Sequence, residues 1–167
     1  EGKWTENYWN VCNSLSDCFR RIGNFTAADH FSQVQLEVAQ KIYVNHPNLA
    51  VDQSERGLVL CALGDYNRAE QLFQLALDSD LHNFGSDHPN VVSSQSNLAI
   101  VYTDLEDYNR AVQLLQLALD SALHNFGSDH SSVARSQSNL ARVYKELGDY
   151  SRAAQLLQLA LDNDLRN

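Results

Sequence analysis

The sequence predicts an all-α fold, a solenoid of antiparallel helix pairs, on three observations. Residues 64–105 and 106–147 are identical at 31 of 42 positions, and a further copy begins at Gly148. Within each copy the apolar residues recur three and four apart, which is the spacing of one helix face. No stretch alternates apolar and polar residues as a half-buried strand does. A single helical hairpin cannot bury such a stripe, so consecutive copies must stack on one another.

Weaker echoes extend the repeat upstream. His46-Pro47-Asn48 stands 42 residues before His88-Pro89-Asn90, and Gly23-Asn24-Phe25 stands 41 before Gly64-Asp65-Tyr66. The chain therefore reads as one array over 1–167, with repeats near 5–45, 46–87, 88–129 and 130–167. Eight helices follow, near 5–21, 25–44, 48–63, 66–84, 90–105, 108–126, 132–147 and 150–166. The third repeat shows the reasons. Pro89 suits the first turn of a helix, where its missing N–H costs nothing. Val91, Leu98, Ala99, Val101, Tyr102 and Leu105 then cluster at helical spacing, and Glu106-Asp107 makes a tight turn. Ala111, Leu115, Ala118, Leu119, Ala122 and Phe126 form the stripe of the next helix, which Gly127 stops in a left-handed conformation.

Composition narrows the function classes. The chain has 12 basic and 21 acidic residues, a net charge of −9, which is a poor match to nucleic acid or an anionic membrane. No apolar run approaches the roughly 18 residues of a membrane-spanning helix. The opening Glu1-Gly2-Lys3-Trp4 is not a signal peptide and lacks a Met, which suggests a piece excised from a longer protein. Cys12, Cys18 and Cys61 are odd in number, and Cys12 and Cys18, six apart on a helix, are poorly placed to bridge, so all three are read as reduced thiols of a cytoplasmic protein.

The repeats resemble the tetratricopeptide repeat (TPR), whose signature places Leu-Gly/Ala, Tyr, Ala and an aliphatic or aromatic residue at fixed offsets. Repeat three carries Leu98-Ala99, Tyr102, Ala111 and Leu115, and repeat four carries Leu140-Ala141, Tyr144, Ala153 and Leu157. The 42-residue period with His88-Pro89-Asn90-Val91 and Asn97-Leu98-Ala99 is similar to kinesin light chain-type repeats. The resemblance implies right-handed superhelical twist and a concave groove lined by the first helix of each repeat. Repeat two departs from the signature: Arg56 and Leu60 stand where Leu and Tyr belong. Arg56 is expected to snorkel to water or to find a partner, because a buried lone charge is costly.

A search for chemistry finds none. His46, His88 and His130 share one repeat position, and His82 and His124 share another, which reads as duplication of helix-end residues rather than a metal site. No glycine-rich phosphate loop or Cys–His arrangement occurs in sequence. The expectation is a non-enzyme with no cofactor and no metal.

The differences between near-identical copies point to a surface instead. Ser93, Ser96, Asn97, Ile100, Thr103 and Asp104 lie on one helix face. Repeat four has Arg135, Ser138, Asn139, Arg142, Lys145 and Glu146 there, so four of these six positions differ, against seven of the other 36. The matching positions include Asn13, Asp17 and Arg20 in repeat one, and Glu55 and Leu58 in repeat two. The candidate groove is therefore Asn13, Asp17, Arg20, Glu55, Leu58, Ser93, Asn97, Ile100, Thr103, Arg135, Asn139, Arg142 and Lys145, holding an extended peptide or partner protein. A second reading rests on Leu75, Leu117 and Leu159, which share a position where related repeats carry Lys or Arg. They form either a wide intramolecular seam or a stripe for self-association of the array into homo-oligomers.

Overall fold

The computed structural model describes residues 6–42 and 48–165. His46 and Pro47, which helped set the register, lie outside these residues. Among the described residues there is no strand, and there are eight helices. They are α1 (Glu6–Arg21), α2 (Phe25–Ile42), α3 (Asn48–Ala62), α4 (Tyr66–Phe84), α5 (Pro89–Asp104), α6 (Tyr108–Phe126), α7 (Ser131–Glu146) and α8 (Tyr150–Asp164). The expected limits at 5, 44 and 166 lie outside the described residues, and every other limit falls within one residue of its expected place. The chain divides into two compact units, Glu1–Asn83 and Phe84–Asn167. In the first, α2 packs on α1 and α3. In the second, α6 packs on α5 and α7, α8 packs on α7, and α5 also touches α7.

One turn design closes the hairpins. After α5, Glu106 N–H donates to the Thr103 carbonyl at 3.1 Å and Asp107 N–H donates to the Tyr102 carbonyl at 2.8 Å. These two bonds satisfy carbonyls that a helix end otherwise leaves bare. Asp107 then caps α6, its carboxylate accepting from Arg110 N–H at 3.2 Å. The Arg110 guanidinium returns to the same carboxylate at 2.5 Å and lies 4.2 Å over the Tyr102 ring. Asp65 with Arg68, and Asp149 with Arg152, repeat the cap and the ion pair. The residue before each Asp needs positive φ. Gly64 and Gly148 supply it, whereas Glu106 adopts φ 61° despite its side chain. Gly127 also has positive φ, but its ψ of 171° takes it out of the left-handed helical region into one open essentially to glycine.

The histidines have a mechanical role. His88 caps α5 by accepting from Asn90 N–H at 3.2 Å, and its ring stacks on Phe84 with centroids 4.2 Å apart. His130 does the same for α7 with Ser132 N–H and Phe126.

The first compact unit solves the same packing problem with different residues. Arg56 is buried and paired, the second of the two outcomes expected for it. Its guanidinium contacts Asp29 Oδ1 at 3.2 Å and donates to the Asp29 carbonyl at 2.9 Å and to Ser32 Oγ at 3.2 Å. Burial pulls the Arg56 pKa down from its ordinary value, and the Asp29 charge opposes that shift. Gly57 stands where repeats three and four have Ala99 and Ala141, and buried Phe73 where they have Leu115 and Leu157. A Cβ on Gly57 would lie 2.7 Å from the Phe73 ring, well inside contact distance. The glycine and the large ring are a matched pair.

Behind them, buried Asp52 accepts from Trp9 Nε1 at 3.0 Å and from Gln35 Nε2 at 2.6 Å. Burial pushes its pKa up to about 6, with the Trp9 and Gln35 bonds opposing the rise and nearby Glu55 adding to it.

Two stability measurements check this account. Gly57→Ala should destabilise the chain by about 1–3 kcal/mol through overpacking, although Gly→Ala in an open helix stabilises. Adding Phe73→Leu should recover part of that loss, so denaturant melts of the double variant should show less damage than the two single changes summed. Asp52 binds its proton more readily folded than unfolded, so its contribution is fullest below the ordinary carboxylate value. Stability should fall as pH rises from about 4 through about 6, by on the order of 3 kcal/mol. Asp52→Asn should remove that slope, since its amide can accept from Trp9 and donate to Gln35 Oε1, which has no partner among the described residues. An unchanged slope in the variant would assign the pH dependence to another group.

Candidate binding surface

The expected groove residues fall on the first helix of each hairpin, and their surroundings differ. On α1, Asn13 is half-buried and Asp17 is held from both sides, by Arg20 Nη2 at 2.7 Å and Arg21 Nε at 2.6 Å. These two guanidiniums hold the Asp17 carboxyl below its usual range. Asp17 and Arg20 are thus partners of each other before any ligand arrives. On α3, Glu55 accepts from Gln35 Nε2 at 3.2 Å, and Leu58 is exposed.

On α5 and α7 the surface is more open. Ser93 is exposed, with its hydroxyl donating to the Pro89 carbonyl at 3.2 Å, and Asn97 and Ile100 are half-buried. Thr103 is buried and donates to the Ala99 carbonyl at 2.8 Å, so it offers nothing to a ligand, and its place among the groove residues is corrected. Arg135, Arg142 and Lys145 are exposed along α7, and Asn139 is half-buried between them. Among the described residues no carboxylate pairs with any of these three cations. Three like charges on one helix face repel unless an anion offsets them.

Sequence reasoning missed the floor beside these cations. Arg142 and Lys145 border a trough of about 350 Å³ whose remaining wall comes from Ser138, Ala141, Tyr150, Ala153, Ala154 and Leu157. Leu157 holds the same signature position as Leu115, which is buried, yet it is 51% exposed. The 42-residue spacing carried no signal for this, since it matches Leu157 to Leu115 whatever lies against either side chain. Leu75, Leu117 and Leu159 are also about half-exposed, which removes the intramolecular seam reading.

The thiols are unbridged: Cys12 is buried, Cys61 is half-buried and Cys18 is exposed. Burial pushes the Cys12 thiol pKa up, away from a reactive thiolate. No helix among the described residues is long and apolar enough to cross a membrane.

Paired antiparallel helices with this turn, repeated every 42 residues, identify the architecture. Residues 53–123 and 91–166 match the tetratricopeptide repeat. This chain belongs to the tetratricopeptide-repeat family. No curated protein matches it. Among solved structures, it is similar to BtubC (BKLC) from P. vanneervenii at 24% identity and a TM-score of 0.81, over 93% of this chain and 62% of that one. This TPR chain thus spans less than two thirds of BtubC. It is also similar to kinesin light chain-like, nearly identical TPR-like repeats from Podosopora anserina, at 22% identity and a TM-score of 0.86, over 98% of this chain and 78% of that one. The apo form of RapI aligns at 19% identity and a TM-score of 0.78, over 99% of this chain and 58% of that one. At these identities the likeness is one of fold. TPR modules are in general protein-interaction scaffolds, which fits a surface made of unpaired cations beside apolar side chains.

Proposed function

We propose that the chain is a non-catalytic binding module, one array over 1–167 within a larger cytoplasmic scaffold or sensor, which holds an extended protein segment along the first helices of its repeats. The observation that carries this reading is the row of unpaired Arg135, Arg142 and Lys145 on α7, with Asn139 between them and Ile100 on the adjoining α5. Arg142 can grip a carboxylate with two parallel hydrogen bonds, whereas Lys145 acts as a point charge. Asn97 and Asn139 can bond a peptide backbone without reading its side chains. The ligand is therefore an extended segment with acidic residues at α7 and an apolar residue at α5. Three unbridged thiols fit a reducing compartment. Its net charge of −9 argues against nucleic acid and anionic membrane as partners, and nothing in this reading calls for a cofactor.

A second reading is favoured by one observation, the exposure of Leu117 and Leu159 on the second helices of their repeats. Such leucines suit an association surface between copies of the array.

The two readings separate by experiment. Acidic-aromatic peptides should bind the native chain at about micromolar affinity, since ordering a flexible segment offsets much of the contact energy. Arg142→Glu should weaken that binding about tenfold or more, and added salt should weaken it too. Equal binding by both proteins removes the groove reading. For the second reading, Leu117→Lys should leave the helical circular dichroism and melting temperature of the native chain and reduce its concentration-dependent sedimentation. Unchanged sedimentation removes the leucine surface.

A further inference from the structure

The molecule contains its own example of how the groove face satisfies cations. The first helices α1 and α7 align at an offset of 125, set by Gly23 and Gly148, the positive-φ glycines of the turns that follow them. At the place that Arg142 holds on α7, α1 has Asp17. Each carboxylate oxygen of Asp17 takes one guanidinium: Oδ1 accepts from Arg20 at 2.7 Å and Oδ2 from Arg21 at 2.6 Å. On α7 the internal acid is gone. Arg142 replaces it, Lys145 stands in the place of Arg20, and Arg135 adds a third cation two turns earlier. Glu146, in the place of Arg21, can answer one of the three, which leaves two positive charges over. Among the described residues none of these cations has an ionic partner.

This face is not one that a following hairpin closes. The matching positions of α5, which has α7 beside it, are exposed at Ser93 and half-buried at Asn97 and Ile100. Arg135, Asn139 and Arg142 therefore stay reachable whatever lies beyond α8.

We infer that the segment held in this groove is phosphorylated, with its phosphoryl dianion seated over Asn139 between Arg135 and Arg142. The inference rests on the groove reading and narrows its ligand. Charge supports it first. A phosphate monoester carries about −1.5 to −2 near neutral pH, which matches the excess on α7, whereas a carboxylate carries a single charge. The oxygen count agrees. α1 uses one oxygen per cation, so three cations call for three oxygens, and a phosphate monoester presents three terminal oxygens where a carboxylate presents two. Spacing agrees as well. Arg135 and Arg142 are seven residues apart on one face, about 10.5 Å along the axis, so a group over Asn139 is approached from both sides. Each guanidinium can give a phosphate two parallel hydrogen bonds, and the Asn139 amide can add a neutral donor. Ile100 on the adjoining α5 offers apolar contact to a neighbouring residue of the segment. The chain's net charge of −9 repels a continuous polyanion, whereas a single dianion on a peptide meets only the local cations.

The test separates phosphate from mere acidity. The full chain is titrated with short degenerate peptides that carry an apolar residue and, at one fixed place, phosphoserine, two adjacent glutamates or serine. The glutamate pair matches the charge of the phosphate but spreads it over two planar groups. The phosphorylated set should bind about tenfold more tightly than the glutamate set, and the serine set weakest of all. Arg135→Gln alters an exposed side chain, so it should keep the native circular dichroism while erasing most of the preference for phosphate. Equal binding of the phosphorylated and glutamate sets overturns this inference and leaves the groove reading standing. Binding by none of the three sets removes both. A preference for phosphate that survives Arg135→Gln puts the dianion elsewhere and overturns the inference as well.

Discussion

Each hairpin of this TPR chain makes more apolar surface than it can hide. Its two helices cover one side of each other, and the other side of the stripe needs the next hairpin. The tight turn makes that demand regular. A positive-φ residue and two backbone bonds to the ending helix recur at each turn, followed by an Asn24 cap in the first hairpin and an Asp cap with its returning Arg in the other three. With that turn repeated, each hairpin turns the rest of its apolar stripe to the same side. Leu115 is buried where α7 packs on α6, and Leu157 at the same repeat position of α8 is half-exposed among the described residues.

The first compact unit satisfies the same demand by other means. A glycine takes the place of alanine where a phenyl ring takes the place of leucine, and the two changes offset each other in volume. An arginine takes a leucine position and is made tolerable by a carboxylate, a carbonyl and a hydroxyl. Removing one partner from such a buried pair is costly, because the remaining charge is left uncompensated. The polar side chains at these core positions thus occur in groups whose members lie on different helices.

The surfaces available for binding arise from the residue types that this scaffold leaves free. The turn and core positions are occupied by side chains that pack, cap or pair. On α7 the exposed face varies relative to α5 and gains cations that no carboxylate among the described residues pairs with. A protein segment bringing its own acids would find charge to neutralise and, next to it, apolar surface to cover. Desolvated apolar contact supplies affinity, whereas the cations supply orientation and selectivity.

The helical architecture and the helix limits that fall on described residues were legible in the sequence. Helical periodicity, Pro89 at a helix start and the turn glycines are local signals, and local backbone preferences respond to local residues. The repeat also located Asn97, Arg135, Asn139 and Arg142 on accessible helix faces. Three things were decided only by tertiary structure. Arg56 found Asp29 and Ser32, which are 27 and 24 residues away. Thr103 turned its hydroxyl into its own helix and was buried. Leu157, identical in pattern to Leu115, remained open to solvent. Sequence pattern specifies which face of a helix is apolar, but burial depends on what lies against that face, and this is a property of the assembled neighbours.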